Sequence, residues 1–216
     1  VNPDVVHIQS HIVIGRGLAR IARQRGIPVI ATNHVMAENI LEHTTMPDAV
    51  NRFITKHAWA DAKRTFDMTR AVTTPTRRAA DFLESTVAVQ NVIPVSCGID
   101  RSQYTPVIAP REKNRIVFVG RLTAEKQIDV ILQAMTKLDP ALDTTFDIVG
   151  GGDQRKQLEN LANQLGLGDR VTFHGRTSDD ELRALLSRAS LFVIASIAEL
   201  QSIATMEAMA SALPIV

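Results

Sequence analysis

Two domains, each a parallel sheet wrapped by helices, are the architecture this sequence predicts, and three observations predict it. Short apolar runs alternate with helix-length amphipathic segments through almost all of the 216 residues, the pattern of repeated strand–helix units. The stretch 98–114 breaks that alternation with Pro106, Pro110 and a charged cluster, so it reads as a linker and puts a boundary near residue 107. A fresh strand–helix series starts after it. The expected domains are 1–107 and 108–216.

In chain order, the first half places strands at 4–9, 28–33, 71–74 and 91–95, with helices over 14–25, 48–66 and 76–85. The second half places strands at 115–119, 145–149, 171–174 and 191–195, with helices over 125–138, 153–165, 179–187 and 202–211. The chain begins just before a strand, without a start methionine, and stops at Leu213-Pro-Ile-Val216, which reads as another strand opening. The expectation is a fragment, with the first domain incomplete and the second truncated.

Composition narrows the function classes. A hydrophobic share of 45 % provides a packed core and argues against disorder. A net charge of +1 argues against a dedicated nucleic-acid binder. The single cysteine, Cys97, excludes an internal disulfide and fits a reducing compartment. No apolar run reaches the roughly 18 residues of a membrane span, and no basic-then-apolar signal segment opens the chain.

The most informative stretch is Glu199-Leu-Gln-Ser-Ile-Ala-Thr-Met-Glu207. It follows the apolar run 191–195, so Glu199 sits at a strand-to-helix turn and Glu207 lies inside the helix that follows. The turn offers unpaired backbone N–H groups to an anion such as a diphosphate. Glu207 is surrounded by Ala204, Met206, Ala208, Met209 and Ala210, where an ionised group is expensive without a partner, and ribose hydroxyls would supply one. The plainer reading is dipole chemistry at a helix end for Glu199 and a solvated helix face for Glu207.

Ile116-Val-Phe-Val-Gly-Arg-Leu-Thr-Ala-Glu-Lys126 reads as strand, glycine turn and helix start. It puts Gly120, Arg121 and Lys126 at a strand's carboxyl end, where open parallel sheets bind ligands. The two cations can neutralise a leaving diphosphate; alone, they read more readily as a surface arginine and a helical lysine paired with acids, and the glutamate pair of the later strand end shifts that balance. Gly150-Gly-Gly152 closes the next strand as a tight turn or a ligand loop, and it is not a dinucleotide fingerprint. His174 ends a third strand, either flanking a nucleobase or making an ordinary structural bond. His11 and His34 end strands of the first half, without a third metal ligand at a convincing spacing. No Asp-x-Asp occurs, which argues against a divalent-metal clamp on a diphosphate. The segment 51–78 carries eight Lys, Arg and His residues interleaved with Phe53, Trp59, Phe66 and Met68. It reads as a solvated helix face or as a dock for anionic lipid.

Taken together, 119–126, 149–153, 173–175 and Glu199…Glu207-Ala-Met-Ala-Ser resemble the retaining GT-B nucleotide-sugar glycosyltransferases, in family order and spacing over nearly the whole chain. More narrowly they resemble the branch with sucrose synthase and the bacterial glycolipid mannosyl- and glucosyltransferases. The resemblance implies two Rossmann-like domains, the first on the acceptor side and the second binding the donor. It implies that Arg121 and Lys126 hold the donor diphosphate, Glu199 the sugar hydroxyls and Glu207 the ribose. Backbone groups of Gln201, Ser202 and Ile203 would reach the sugar and phosphates. His34 would face the sugar near its anomeric carbon, and His11 takes a looser acceptor-side role. Two positions depart from the family pattern: Leu200-Gln-Ser202 stands where Gly-Phe-Gly is frequent, and Ala212 where glycine is.

The expected activity is metal-independent transfer of glucose or mannose from a UDP- or GDP-sugar to an acceptor hydroxyl, with retention and no tightly bound cofactor. A lipid or polyol acceptor is favoured, with a cytoplasmic location, peripheral on the inner face of an anionic membrane. The competing readings are a sugar-nucleotide epimerase or glycogen-type phosphorylase on the same scaffold, and a non-catalytic nucleotide-sugar-binding protein.

Overall fold

A computed structural model describes residues 2–34, 47–104, 106 and 111–216. The chain divides into two compact units, Val1–Cys97 and Gly98–Val216. The division falls ten residues before the boundary read from the prolines, because residues 98–104 are bonded to the second unit: Tyr104 joins its apolar core and hydrogen-bonds Glu207.

The first unit is a four-stranded parallel sheet in the order β1-β2-β3-β4, with β1 Val6–Ile8, β2 Val29–Thr32, β3 Ala71–Thr74 and β4 Val92–Pro94. Its described helices are α1 Val13–Gln24, α2 Asp48–Phe66 and α3 Arg77–Thr86. Ala19 and Ala22 of α1, Trp59, Ala62 and Phe66 of α2 and Leu83 of α3 close over Ile8, Ala31 and Val72 of the sheet. Trp59 and Phe66, two of the aromatics in the basic segment, are therefore core residues, while Phe53 is 63 % exposed.

The second unit has β5 Arg115–Val119, β6 Thr145–Val149, β7 Val171–Gly175 and β8 Leu191–Phe192, all parallel, in the order β7-β6-β5-β8. Its helices are α4 Ile128–Met135, α5 Arg155–Gln164, α6 Asp179–Arg188 and α7 Ile203–Ala210. Neighbours along β5 show how it is covered: Phe118 packs in one apolar cluster with α4 and α5, and Val117 in another with α6 and α7. Period-two side chains thus meet helices on both faces, which is what a buried parallel sheet requires.

Two helices begin two or more residues later than periodicity predicts. Ala124–Lys126 forms a single tight 3-10 turn, and Gln127 adopts a left-handed backbone (φ 47°), so α4 starts at Ile128. Gln154 is the N-cap of α5, its N–H bonded to the Leu122 carbonyl (3.0 Å), and α5 starts at Arg155. β8 is shorter than 191–195, although Val193 and Ile194 still donate to Val117 and Val216.

The end of α7 gives Ala212 a physical meaning. Leu213 N–H bonds the Ala208 carbonyl and Ala212 N–H bonds that of Met209, both at 2.9 Å, which is a Schellman ending with Ala212 at the left-handed position (φ 59°). A left-handed L-residue costs roughly 1–2 kcal/mol that glycine avoids, partly offset by glycine's greater unfolded-state entropy. Because Ala212 is exposed, Ala212→Gly forfeits little packing. Urea unfolding is expected to show the variant about 0.5–1 kcal/mol more stable.

Candidate functional site

The strand order of the second unit selects its ligand-binding edge. From β5 the chain moves outward to β6 and β7, then returns to the other side of β5 with β8. Connections therefore leave β5 and β8 in opposite directions, and in open parallel sheets the crevice at such a switch, outside the carboxyl ends, takes the ligand. The loops after β5 and β8 meet there. Ile197 N–H donates to the Glu125 carbonyl at 3.0 Å, and the Lys126 ammonium forms an ion pair with Glu199 Oε1.

Arg121 reaches outward with its side chain 73 % exposed, its guanidinium 3.4 Å from Glu125 Oε1. Glu125 is 3 % exposed. Burial opposes its charge, but hydrogen bonding and the Arg121 and Lys126 cations outweigh that and hold the carboxyl below its ordinary value. Two cations and a fixed carboxylate thus border the β5 end, with Glu199 opposite.

Gly120 and Gly150 end adjacent strands. A Cβ on Gly150 would lie 1.9 Å from the Gly120 carbonyl oxygen, so the two loops pack backbone to backbone. Gly120 N–H bonds Val149 O and Leu122 N–H bonds Gly151 O, each at 3.0 Å.

Beyond β8, Ser202 caps α7, its hydroxyl accepting from Thr205 N–H at 3.1 Å, while Gln201 donates to the Met206 sulfur. Ile203 opens the helix with its side chain 41 % exposed. Glu207, one turn on, accepts a 2.7 Å hydrogen bond from the Tyr104 hydroxyl. Burial, then the bond to and charge of Glu207, push that hydroxyl up to about 12, so it keeps its proton and stays a donor through the ordinary pH range.

His174 lies near the carboxyl end of β7. Its Nε2 lies 2.6 Å from Oδ1 of Asp147, a buried carboxylate in β6 that also binds the Arg115 guanidinium. In the first unit, His34 at the end of β2 is exposed, its Nε2 2.8 Å from Gln9 Oε1. His11 is packed against Trp59 and Phe66 (ring centroids 6.4 and 5.4 Å). Burial lowers its pKa, against the nearby Asp61 and with Arg16 acting the same way, which favours the neutral ring. Among the described residues no group of three or more His, Cys, Asp or Glu side chains could hold a metal ion, and no helix is long and apolar enough to cross a membrane.

Residues 102–216 match the family described as glycosyl transferases group 1, and residues 1–103 match glycosyltransferase family 4. The chain belongs to the group 1 glycosyl transferases. Among its relatives, the 2-deoxystreptamine glucosyltransferase of Streptomyces kanamyceticus is 29 % identical over 90 % of this chain and 53 % of its own length. The MMP alpha-(1->4)-mannosyltransferase of Mycolicibacterium hassiacum is likewise 29 % identical, over 99 % of this chain and 53 % of its own. The chain therefore spans about half the length of these relatives. Of solved structures, sucrose-phosphate synthase from Thermosynechococcus elongatus superposes with a TM-score of 0.80 at 21 % identity, covering 98 % of this chain and 55 % of that one. Anabaena HepE in complex with UDP-glucose gives 0.76 at 20 % identity, covering 98 % and 58 %. At such identities the likeness establishes the fold, two Rossmann-like parallel-sheet domains of the GT-B type.

Group 1 motifs made most of the second-unit edge legible, but two polar residues beside it went unread. Tyr104, the only tyrosine, lay inside the expected linker. Asp147 interrupts the apolar run Phe146-Asp-Ile148, and an acid at a core position is itself a signal that a partner is near.

Proposed function

We propose that the protein transfers a hexose, glucose or mannose, from a UDP- or GDP-sugar to an acceptor hydroxyl with retention at the anomeric carbon. The observation that carries this reading is the contact of Lys126 with Glu199 at the switch between β5 and β8. An ammonium suits a diphosphate and a carboxylate suits sugar hydroxyls, and both stand where this fold binds ligands. In the reaction the bond from the anomeric carbon to the diphosphate oxygen breaks and its electron pair leaves with the diphosphate. Arg121 and Lys126 meet that charge with preorganised cations, and the sugar passes through an oxocarbenium-like transition state. The acceptor hydroxyl attacks on the face the diphosphate is leaving, and its proton passes to the departing phosphate oxygen. Glu207 takes the ribose hydroxyls, and backbone groups of Gln201, Ser202 and Ile203 reach the sugar and phosphates. Gly120 and Gly150 let the backbone come close to the donor, and His174, its Nε2 held by Asp147, would flank the base with the rest of its ring. From the first domain, His34 serves the sugar near its anomeric carbon and His11 the acceptor side.

The acceptor we propose is a lipid or polyol hydroxyl, met at the inner face of an anionic membrane. Its support is the resemblance to the glycolipid branch and the basic segment of α2, where Phe53 remains exposed. We also propose that these residues work within a longer chain, because relatives of about twice the length match nearly all of it in sequence. The test is a thermal-shift screen of the complete protein against UDP, GDP, UDP-glucose and GDP-mannose, followed by product analysis with the stabilising donor. A donor at a hundredfold its Kd should add about 2.7 kcal/mol of stability, a shift of several degrees. Absence of stabilisation by every nucleotide and sugar nucleotide would overturn the proposal. Epimerised donor, or tight binding without transfer, would favour the competing readings.

A further inference from the structure

We propose that Tyr104 is a positioning residue that sets the carboxylate of Glu207 for the two hydroxyls of a ribose. The inference rests on the reading of Glu207 as the ribose ligand. The Tyr104 hydroxyl donates to Glu207 Oε1 at 2.7 Å, across 103 residues of sequence. An ionised carboxylate offers about four lone-pair positions, and tyrosine uses one. Oε2 and the remaining position on Oε1 are left for a vicinal diol. A flexible glutamate held in one rotamer beforehand loses less entropy when its ligand arrives.

The placement of the tyrosine is itself built. Asp100 accepts from Ser102 N–H (3.0 Å), the Ser102 hydroxyl (2.6 Å) and the Gln103 amide (3.0 Å), which fixes the 3-10 turn Arg101–Gln103. Arg183 of α6 donates to Gln103 Oε1 at 3.2 Å and ties that turn to the second unit. The ring itself packs against the apolar cluster that contains Leu185, Leu186 and Ala208. Turn, helix and core together hold the hydroxyl toward α7. Among the described residues it is the hydrogen-bond partner of the Glu207 side chain.

Tyr104→Phe removes the hydroxyl and keeps the ring. Calorimetry on the complete protein would compare wild type, Tyr104→Phe and Glu207→Gln, using the preferred nucleoside diphosphate and its 2′,3′-dideoxy form. The wild type should prefer the ribose form, Glu207→Gln should abolish that preference, and Tyr104→Phe should shrink it about tenfold, the scale of one charge-assisted hydrogen bond. Dideoxy binding and the unfolding midpoint of Tyr104→Phe should stay near wild type, and its donor KM should rise more than its kcat falls. If Glu207→Gln keeps the preference, the ribose reading itself fails. If Glu207→Gln loses it while Tyr104→Phe keeps it, the ribose reading stands and the role of Tyr104 fails. An equal loss for both ligands in Tyr104→Phe would make the tyrosine a structural residue and overturn the proposal.

Discussion

Lys126→Ala is expected to lower kcat/KM of the complete protein by about 10²–10³-fold, the scale of removing one preorganised charge from a transition state. Two effects combine. The leaving diphosphate loses a cation, and Glu199 loses the partner that fixes its carboxylate. The fold should suffer much less. The Lys126 and Glu199 side chains are 13 % and 27 % exposed, so the carboxylate left behind keeps access to water. The stability loss should be about 1–2 kcal/mol, between a surface pair and a buried one. Arg121→Ala gives a cleaner separation. Its side chain is 73 % exposed and makes one long contact with Glu125, whose carboxylate keeps its hydrogen bonds and Lys126, so the stability loss should stay below about 1 kcal/mol while turnover falls in the same direction. Steady-state kinetics beside urea melts measure both quantities, and near-wild-type turnover in both variants would sink the assignment.

What the sequence made legible follows from how local each feature is. β3, β5, β6 and α2 lie on the residues that apolar runs and amphipathic periodicity point to. There the pattern of burial is written directly in neighbouring residues. The start of α4 was not legible because it hangs on Gln127, a non-glycine residue in a left-handed conformation, which leaves no mark in composition. Lys126 nevertheless arrives beside Glu199, because strand order, rather than the helix start, fixes which loops are neighbours. Contacts between distant residues were hardest. Glu207 evidently needed a partner among its small apolar neighbours, but the sequence pointed to ribose and gave no sign of Tyr104. Arg115 and Asp147 belong to different strands, and their contact depends on a register that only the folded sheet defines.

The second large effect is expected at Gly150, where fold and chemistry share one backbone contact. Gly150→Ala should destabilise the protein by about 3–5 kcal/mol, combining backbone strain with overpacking. Its φ of 132° lies in a region that L-residues scarcely enter, and the added Cβ would stand 1.9 Å from Gly120 O and 2.9 Å from Gly120 C. Relief requires backbone movement, and the backbone is pinned on both sides. Gly150 N–H bonds Gly175 O at 2.7 Å, and Gly120 N–H bonds Val149 O at 3.0 Å. Gly166→Ala is the comparison with open surroundings. It also has positive φ (70°), but its Cβ would meet nothing within 4 Å, so it should cost only about 1–2 kcal/mol. If urea melts place the two variants together, backbone conformation alone explains Gly150 and the packing of the two loops carries no weight. If Gly150→Ala is far the worse, its more strained φ and the contact with Gly120 act together. Folded Gly150→Ala protein should then also bind donor poorly, because any shift of Gly120 carries Arg121 away from the β5 end.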